Sequence, residues 1–259
     1  MINIIYSLNP TVLALFGGIF SFFITTLGSA IVFFFKRTTK THMNMLLSIA
    51  AGIMFSASFF SLLNPAIILC SDLKQNFFGC IIGGFIVGGL FISGCNKLID
   101  MIRIDKFYGL KKSILLFSSI TLHNIPEGIA IGVAFGNIIY GGSLIAAISL
   151  TLGIAIQNFP EGAAISIPLK RDNISSGKAF LIGSISGIVE PIFAVIGSLL
   201  VLKMNYLLTF ILCFAAGAMI FVTVFDLIPE SQSSEKKDLM AILFIIGFVI
   251  MMSLDVLLG

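Results

Sequence analysis

From Met1 to Phe35 the chain carries no charged side chain, and from about Thr11 onward this stretch is almost continuously apolar. Such a run exceeds the roughly 20 residues a helix needs to cross hydrocarbon. The first cation, Lys36, follows the run instead of preceding it. The segment therefore lacks the basic leader of a signal peptide and reads as a retained span.

The pattern recurs. Eight segments of this character lie at roughly 11–35, 44–69, 77–96, 113–135, 142–168, 179–202, 205–228 and 239–258. The joints between them leave no room for a soluble domain, so 1–259 reads as one transmembrane domain. With 58% hydrophobic and 10% charged residues, the chain departs far from the about 25% charge of an ordinary soluble domain. A soluble enzyme is excluded as the default. The expected fold class is an all-α membrane protein of eight transmembrane helices in the cell membrane, with the lipid bilayer as its main partner.

Placement of the cations orients the spans. Alternate joints put thirteen of the 15 Lys and Arg on one side, against only Lys74 and Lys203 on the other. The positive-inside rule assigns the first side to the cytoplasm and leaves both termini extracytoplasmic. A net charge of +3 without a dense basic run speaks against a nucleic-acid partner. Cys70, Cys80, Cys95 and Cys213 form no C-x-x-C pair and read as small buried hydrophobes.

Internal repeats appear next. His123-Asn124-Ile125-Pro126-Glu127-Gly128 in span four and Gln157-Asn158-Phe159-Pro160-Glu161-Gly162 in span five share one six-residue pattern. Ala50-Ala51-Gly52-Ile53-Met54 returns 165 residues later as Ala215-Ala216-Gly217-Ala218-Met219, and the same offset pairs Gly18 and Ser21 with Gly183 and Ser186. Spans so related cross in opposite senses. The expected arrangement is 3+2+3, two inverted three-helix repeats around a central hairpin, a design that recurs in transporters with midplane sites. The plainer alternative for the Ala-Ala-Gly echo is close helix packing.

Carboxylates at mid-depth are functional candidates by default, because burying their charge in lipid is costly. Glu127, Glu161 and Glu190 lie well inside their spans. His123 and Glu127 are four residues apart with Asn124 three from Glu127, and Gln157, Asn158 and Glu161 repeat the spacing. Each set therefore shares a helical face. Two carboxylates, an imidazole and three amides at one point make an oxygen- and nitrogen-rich metal site suited to Zn²⁺, Fe²⁺ or Mn²⁺. A carboxylate between two cations would bridge them. Pro126 and Pro160 each remove a helical N–H and release a carbonyl one turn earlier, near Leu122 and Ile156.

At these residues the sequence resembles the ZIP family of divalent-metal transporters, and most of all its short prokaryotic branch. The resemblance covers essentially the whole chain, adding Glu190-Pro191 in span six and Leu227-Ile228-Pro229-Glu230-Ser231 near the end of span seven. It implies uptake of Zn²⁺, with Fe²⁺, Mn²⁺ and Cd²⁺ as further cargo, into the cytoplasm. It also implies a binuclear site between spans four and five and elevator-like alternating access. Carried over, one ion is held by His123, Glu127, Gln157 and Glu161, with Met54 near the entrance. The second is held by Asn124, Glu127, Asn158, Glu161 and Glu190. Phe225-Asp226 departs from the His-Glu pair of many members, leaving Asp226 and Glu230 on the exit path. Asn44 stands where members can carry an acid.

The metal is cargo, not cofactor, and no catalytic residue is expected. Two other readings compete: an intramembrane metal-dependent hydrolase, weakened by the lack of H-E-x-x-H or a Ser/Lys pair, and a divalent-cation channel. Gly83-Gly84 and Gly88-Gly89 in span three pack helices either within one protomer or across a homodimer.

Overall fold

The apolar runs fold as helices whose ends and breaks fall at identifiable residues. The computed structural model describes residues 9–34, 40–101, 111–171, 173–203 and 207–258, and every regular element among them is helical. Helices satisfy their own backbone hydrogen bonds, which lipid cannot do for them.

In chain order these are α1 (Pro10–Phe34), α2 (Lys40–Ala57), α3 (Asn64–Asp72), α4 (Gly84–Met101), α5 (Lys111–Gly136), α6 (Leu144–Arg171), α7 (Ser176–Ser186), α8 (Val189–Lys203), α9 (Leu208–Val222), α10 (Ile228–Ser231) and α11 (Lys237–Leu258). A wide π turn, Ser58–Leu63, joins α2 to α3, and another, Thr223–Leu227, joins α9 to α10. Seven helical segments are long and apolar enough to cross a membrane: Pro10–Phe34, Thr41–Asp72, Phe78–Leu98, Leu144–Lys170, Ser176–Leu202, Leu208–Ser231 and Lys237–Leu257. The remaining expected span, 113–135, coincides with α5, which at 26 residues has the length of a crossing. The chain is a multi-pass integral membrane protein.

Its surface and interior are apportioned accordingly. Phe16, Phe34, Phe78, Leu90 and Ile245 are exposed, whereas Ser21, Thr25, Asn124, Glu127, Gln157 and Glu190 are fully buried. In water this would be inverted; in lipid the exposed apolar side chains meet their own solvent.

These two π turns share local features. The Ser58 hydroxyl donates to the Met54 carbonyl at 2.7 Å, and the Thr223 hydroxyl donates to the Met219 carbonyl at 2.9 Å. A hydroxyl bonded four residues back competes with the helical ladder. Pro65 and Pro229 then open α3 and α10, and a proline lacks the N–H that a regular turn would use. The two hydroxyls lie 165 residues apart and the two prolines 164. The glycines of the echo behave alike as well. A Cβ on Gly52 would strike the Phe244 carbonyl of α11, and one on Gly217 would strike the Phe85 carbonyl of α4.

One sequence expectation is revised and one open alternative is narrowed. Span six is not one helix: the chain breaks at Gly187–Ile188, so Glu190 lies in the first turn of α8 and not midway along a helix. The break is a tight turn in which Gly187, Ile188 and Glu190 each donate three residues back. Pro191, in the first turn of α8, loses no helical bond there. By contrast, α5 and α6 continue through Pro126 and Pro160. Two glycines of span three are used within the protomer: added Cβ atoms on Gly84 and Gly88 would meet the carbonyls of Phe210 and Phe214 on α9. They lend no support to a homodimer.

Candidate metal centre

The shared six-residue pattern places Asn124, Glu127 and Gly128 on α5, and Gln157, Asn158, Glu161 and Gly162 on α6. The glycines set how closely each helix is approached. A Cβ on Gly128 would lie 2.7 Å from the Glu190 carbonyl oxygen, and one on Gly162 would overlap the Thr25 carbonyl oxygen. So α8 is seated against α5, and α1 against α6. Asn124, Glu127, Gln157, Asn158, Glu161 and Glu190 are all withdrawn from the surface, at 0–1% exposure.

Their hydrogen bonds run in one sense. Gln157 Nε2 donates to Glu127 Oε1 at 2.6 Å, Asn158 Nδ2 to Ser21 Oγ at 3.0 Å, and Asn124 Nδ2 to the Ser186 carbonyl at 3.0 Å. Thr25 Oγ1 donates to Glu190 Oε1 at 3.1 Å. Every amide nitrogen of the group thus donates into the protein. The oxygens do not find donors: Asn124 Oδ1, Glu127 Oε2, Gln157 Oε1, Asn158 Oδ1, both Glu161 oxygens and Glu190 Oε2 are buried without a hydrogen-bond partner. Buried acceptors normally have one, and leaving them unmet is costly. The carboxylates of Glu127, Glu161 and Glu190 are also near enough to repel one another. A cation answers both problems.

The break between α7 and α8 contributes directly. Glu190 N–H donates to the Gly187 carbonyl, three residues back. The Ser186 carbonyl, its partner in a continuous helix, is thereby released to accept from Asn124. The N-terminal turn of α8 also offers free N–H groups and a favourable dipole to an anion such as Glu190.

Six of the expected ligands thus meet. His123 lies on α5 one turn before Glu127, but its side chain is outside the described residues. Among the described residues no three His, Cys, Asp or Glu side chains close on one ion-sized point; the cluster mixes carboxylates with amide oxygens. Met54 is buried on α2, Asp226 is half-buried in the π turn Thr223–Leu227, and Glu230 is exposed on α10, all on elements other than those building the cluster. Asn44 donates to Ser233 Oγ at 3.1 Å, just beyond α10.

Sequence reasoning missed the hydroxyl side of the centre. Ser21 appeared only as an echo of Ser186, and Thr25 not at all, although it lies 165 residues before Glu190. It also missed Asp255 of α11, both of whose carboxylate oxygens lie 2.7 Å from the Ser61 hydroxyl.

Residues 102–255, more than half of the chain, match the family model described as ZIP Zinc transporter. Zinc transporter ZIP11 of Xenopus tropicalis is 32% identical, over 97% of this chain and 98% of the relative. Zinc transporter ZIPB of Bordetella bronchiseptica is 30% identical, over 95% of this chain and 81% of the relative, and Zinc transporter ZupT of Streptococcus mutans is 30% identical, over 90% and 92%. An animal relative thus matches as well as bacterial ones, and the likeness is not confined to the prokaryotic branch. On the family model and on relatives that span nearly its whole length, this chain belongs to the ZIP zinc transporter family.

Proposed function

We propose that the protein carries divalent transition-metal ions, Zn²⁺ foremost, across the cell membrane into the cytoplasm. One observation carries this reading. Seven buried oxygens of six side chains lack donors, while the amide nitrogens beside them are all engaged. Such a cluster repels anions and apolar groups and welcomes a dehydrated cation. Carboxylate and amide oxygens with one imidazole accept Zn²⁺, and equally Fe²⁺, Mn²⁺ or Cd²⁺. The names of the relatives point the same way.

The centre is binuclear in this reading. His123, Glu127, Gln157 and Glu161 hold one ion; Asn124, Glu127, Asn158, Glu161 and Glu190 hold the other, with Glu127 and Glu161 between them. Met54 borders the entrance, and Asp226 and Glu230 serve the exit. A single domain of eight spans, with α5 as the fourth and both termini outside, forms two inverted three-helix repeats around α5 and α6. The pairings that recur 165 residues apart support this arrangement. Alternating access is elevator-like: α1, α5, α6 and α7–α8, knit together by glycine approaches, move as one body against the rest.

Reconstitution in proteoliposomes tests the proposal. Glu127→Ala and Glu161→Ala are expected to insert normally and to abolish Zn²⁺ uptake; unchanged uptake in both variants would overturn the assignment. Metal addition gives a second readout. Zn²⁺ at a hundredfold over its Kd should stabilise the wild type by about 2.7 kcal/mol per site, and Glu161→Ala should lose most of that gain.

A further inference from the structure

Thr25 and Glu190 are 165 residues apart, the offset that relates Ser21 to Ser186, Gly52 to Gly217 and Ser58 to Thr223. The contacts around them correspond in the same way. Gly162 of α6 is seated on the Thr25 carbonyl, as Gly128 of α5 is on the Glu190 carbonyl. Asn158 reaches Ser21, as Asn124 reaches Ser186. Thr25 therefore stands in the first repeat where Glu190 stands in the second, and the two side chains meet across the repeat axis at 3.1 Å.

We infer that Thr25 is a positioning residue for the metal centre, acting through Glu190. Its hydroxyl engages Glu190 Oε1 and so leaves Oε2 as the oxygen without a donor. The hydroxyl hydrogen is shared with the Ser21 carbonyl at 3.2 Å, which ties the contact to the backbone of α1. The Gly187 backbone closes the other side: a Cβ there would lie 3.0 Å from Glu190 Oε1 and 3.1 Å from the Thr25 Cβ. With Oε1 engaged by Thr25 and the Gly187 backbone packed close beside it, the carboxylate presents Oε2 to the ion. The repeat thus supplies an acid from one side of the centre and the group that aims it from the other.

This inference rests on the reading of the cluster as a metal centre, and the experiment separates the two. Wild type, Thr25→Val, Thr25→Ser and Glu190→Gln are compared by Zn²⁺ uptake in proteoliposomes and by Zn²⁺ bound per chain at equilibrium. Thr25→Val keeps shape and loses the hydroxyl. It is expected to raise KM roughly tenfold, as loss of an outer partner of a metal ligand does, with kcat much less affected and binding of one ion weakened. Thr25→Ser restores the hydroxyl and should lie within about twofold of wild type, since the outer partner is again present. If Thr25→Val behaves as wild type while Glu190→Gln is impaired, Thr25 does not position Glu190. Equal losses in Thr25→Val and Thr25→Ser would show that packing and not the hydroxyl matters, and would also overturn the inference. If Glu190→Gln itself binds and transports as wild type, the reading of Glu190 as a ligand fails first.

Discussion

On one flank of the centre α1 runs unbroken past Asn158, whereas on the other the chain breaks between α7 and α8 beside Asn124. The amides are equivalent in sequence, yet they are held by different groups. Asn158 takes the Ser21 hydroxyl, a side-chain acceptor on a continuous helix. Asn124 takes the Ser186 carbonyl, which the break has set free. The acid also falls on the broken side, where a helix N-terminus faces it; the matching position on the continuous helix holds a threonine. The flank that bears the charge is also the one where the break leaves a helix N-terminus to face it.

That comparison can be broken in several places. The largest effect is expected from Glu190→Ala, which removes the acid of the broken flank: Zn²⁺ uptake should fall about a hundredfold. Uptake near wild type would leave the asymmetry without functional meaning. Next come Gly128→Ala and Gly162→Ala. Each adds a Cβ against a carbonyl of the facing helix and should cost about 1–3 kcal/mol in stability, read as a lowered melting temperature in detergent. A loss confined to one of them would show that the flanks are not packed alike. Ser21→Ala deprives Asn158 of its acceptor, at about 1 kcal/mol, and a rise of a few-fold in KM is the outcome to look for. The smallest effect belongs to Lys170→Met. Lys170 Nζ bonds the Val32 carbonyl near the end of α1 at 2.7 Å, so its loss should cost at most about 1 kcal/mol in stability and leave KM unchanged. A shifted KM there would mean that the α1–α6 pairing is coupled to the site along its whole length.

Much of this is legible in the sequence alone. The apolar runs announced helices because each was long enough to cross lipid, and seven of the eight expected segments are recovered by length and composition. The six-residue pattern announced a shared face because its polar residues are spaced three and four apart. The break at Gly187–Ile188 was hidden, since Gly-Ile-Val-Glu-Pro is apolar enough to pass for the middle of a span. Thr25 was hidden for a related reason: a threonine in a transmembrane helix usually bonds its own backbone, and only a neighbour from another repeat gives it a second role.

Sequence by itself determined that this chain lives in lipid, and which few carboxylates and amides lie at depth, because charge is too costly there to be placed without use. Tertiary structure decided which atoms of those residues remain available. An amide carries a donor and an acceptor at one position, and nothing in its spacing says which will face the centre. Here Ser21, Ser186 and Glu127 occupy the nitrogens, so the oxygens are left for a cation.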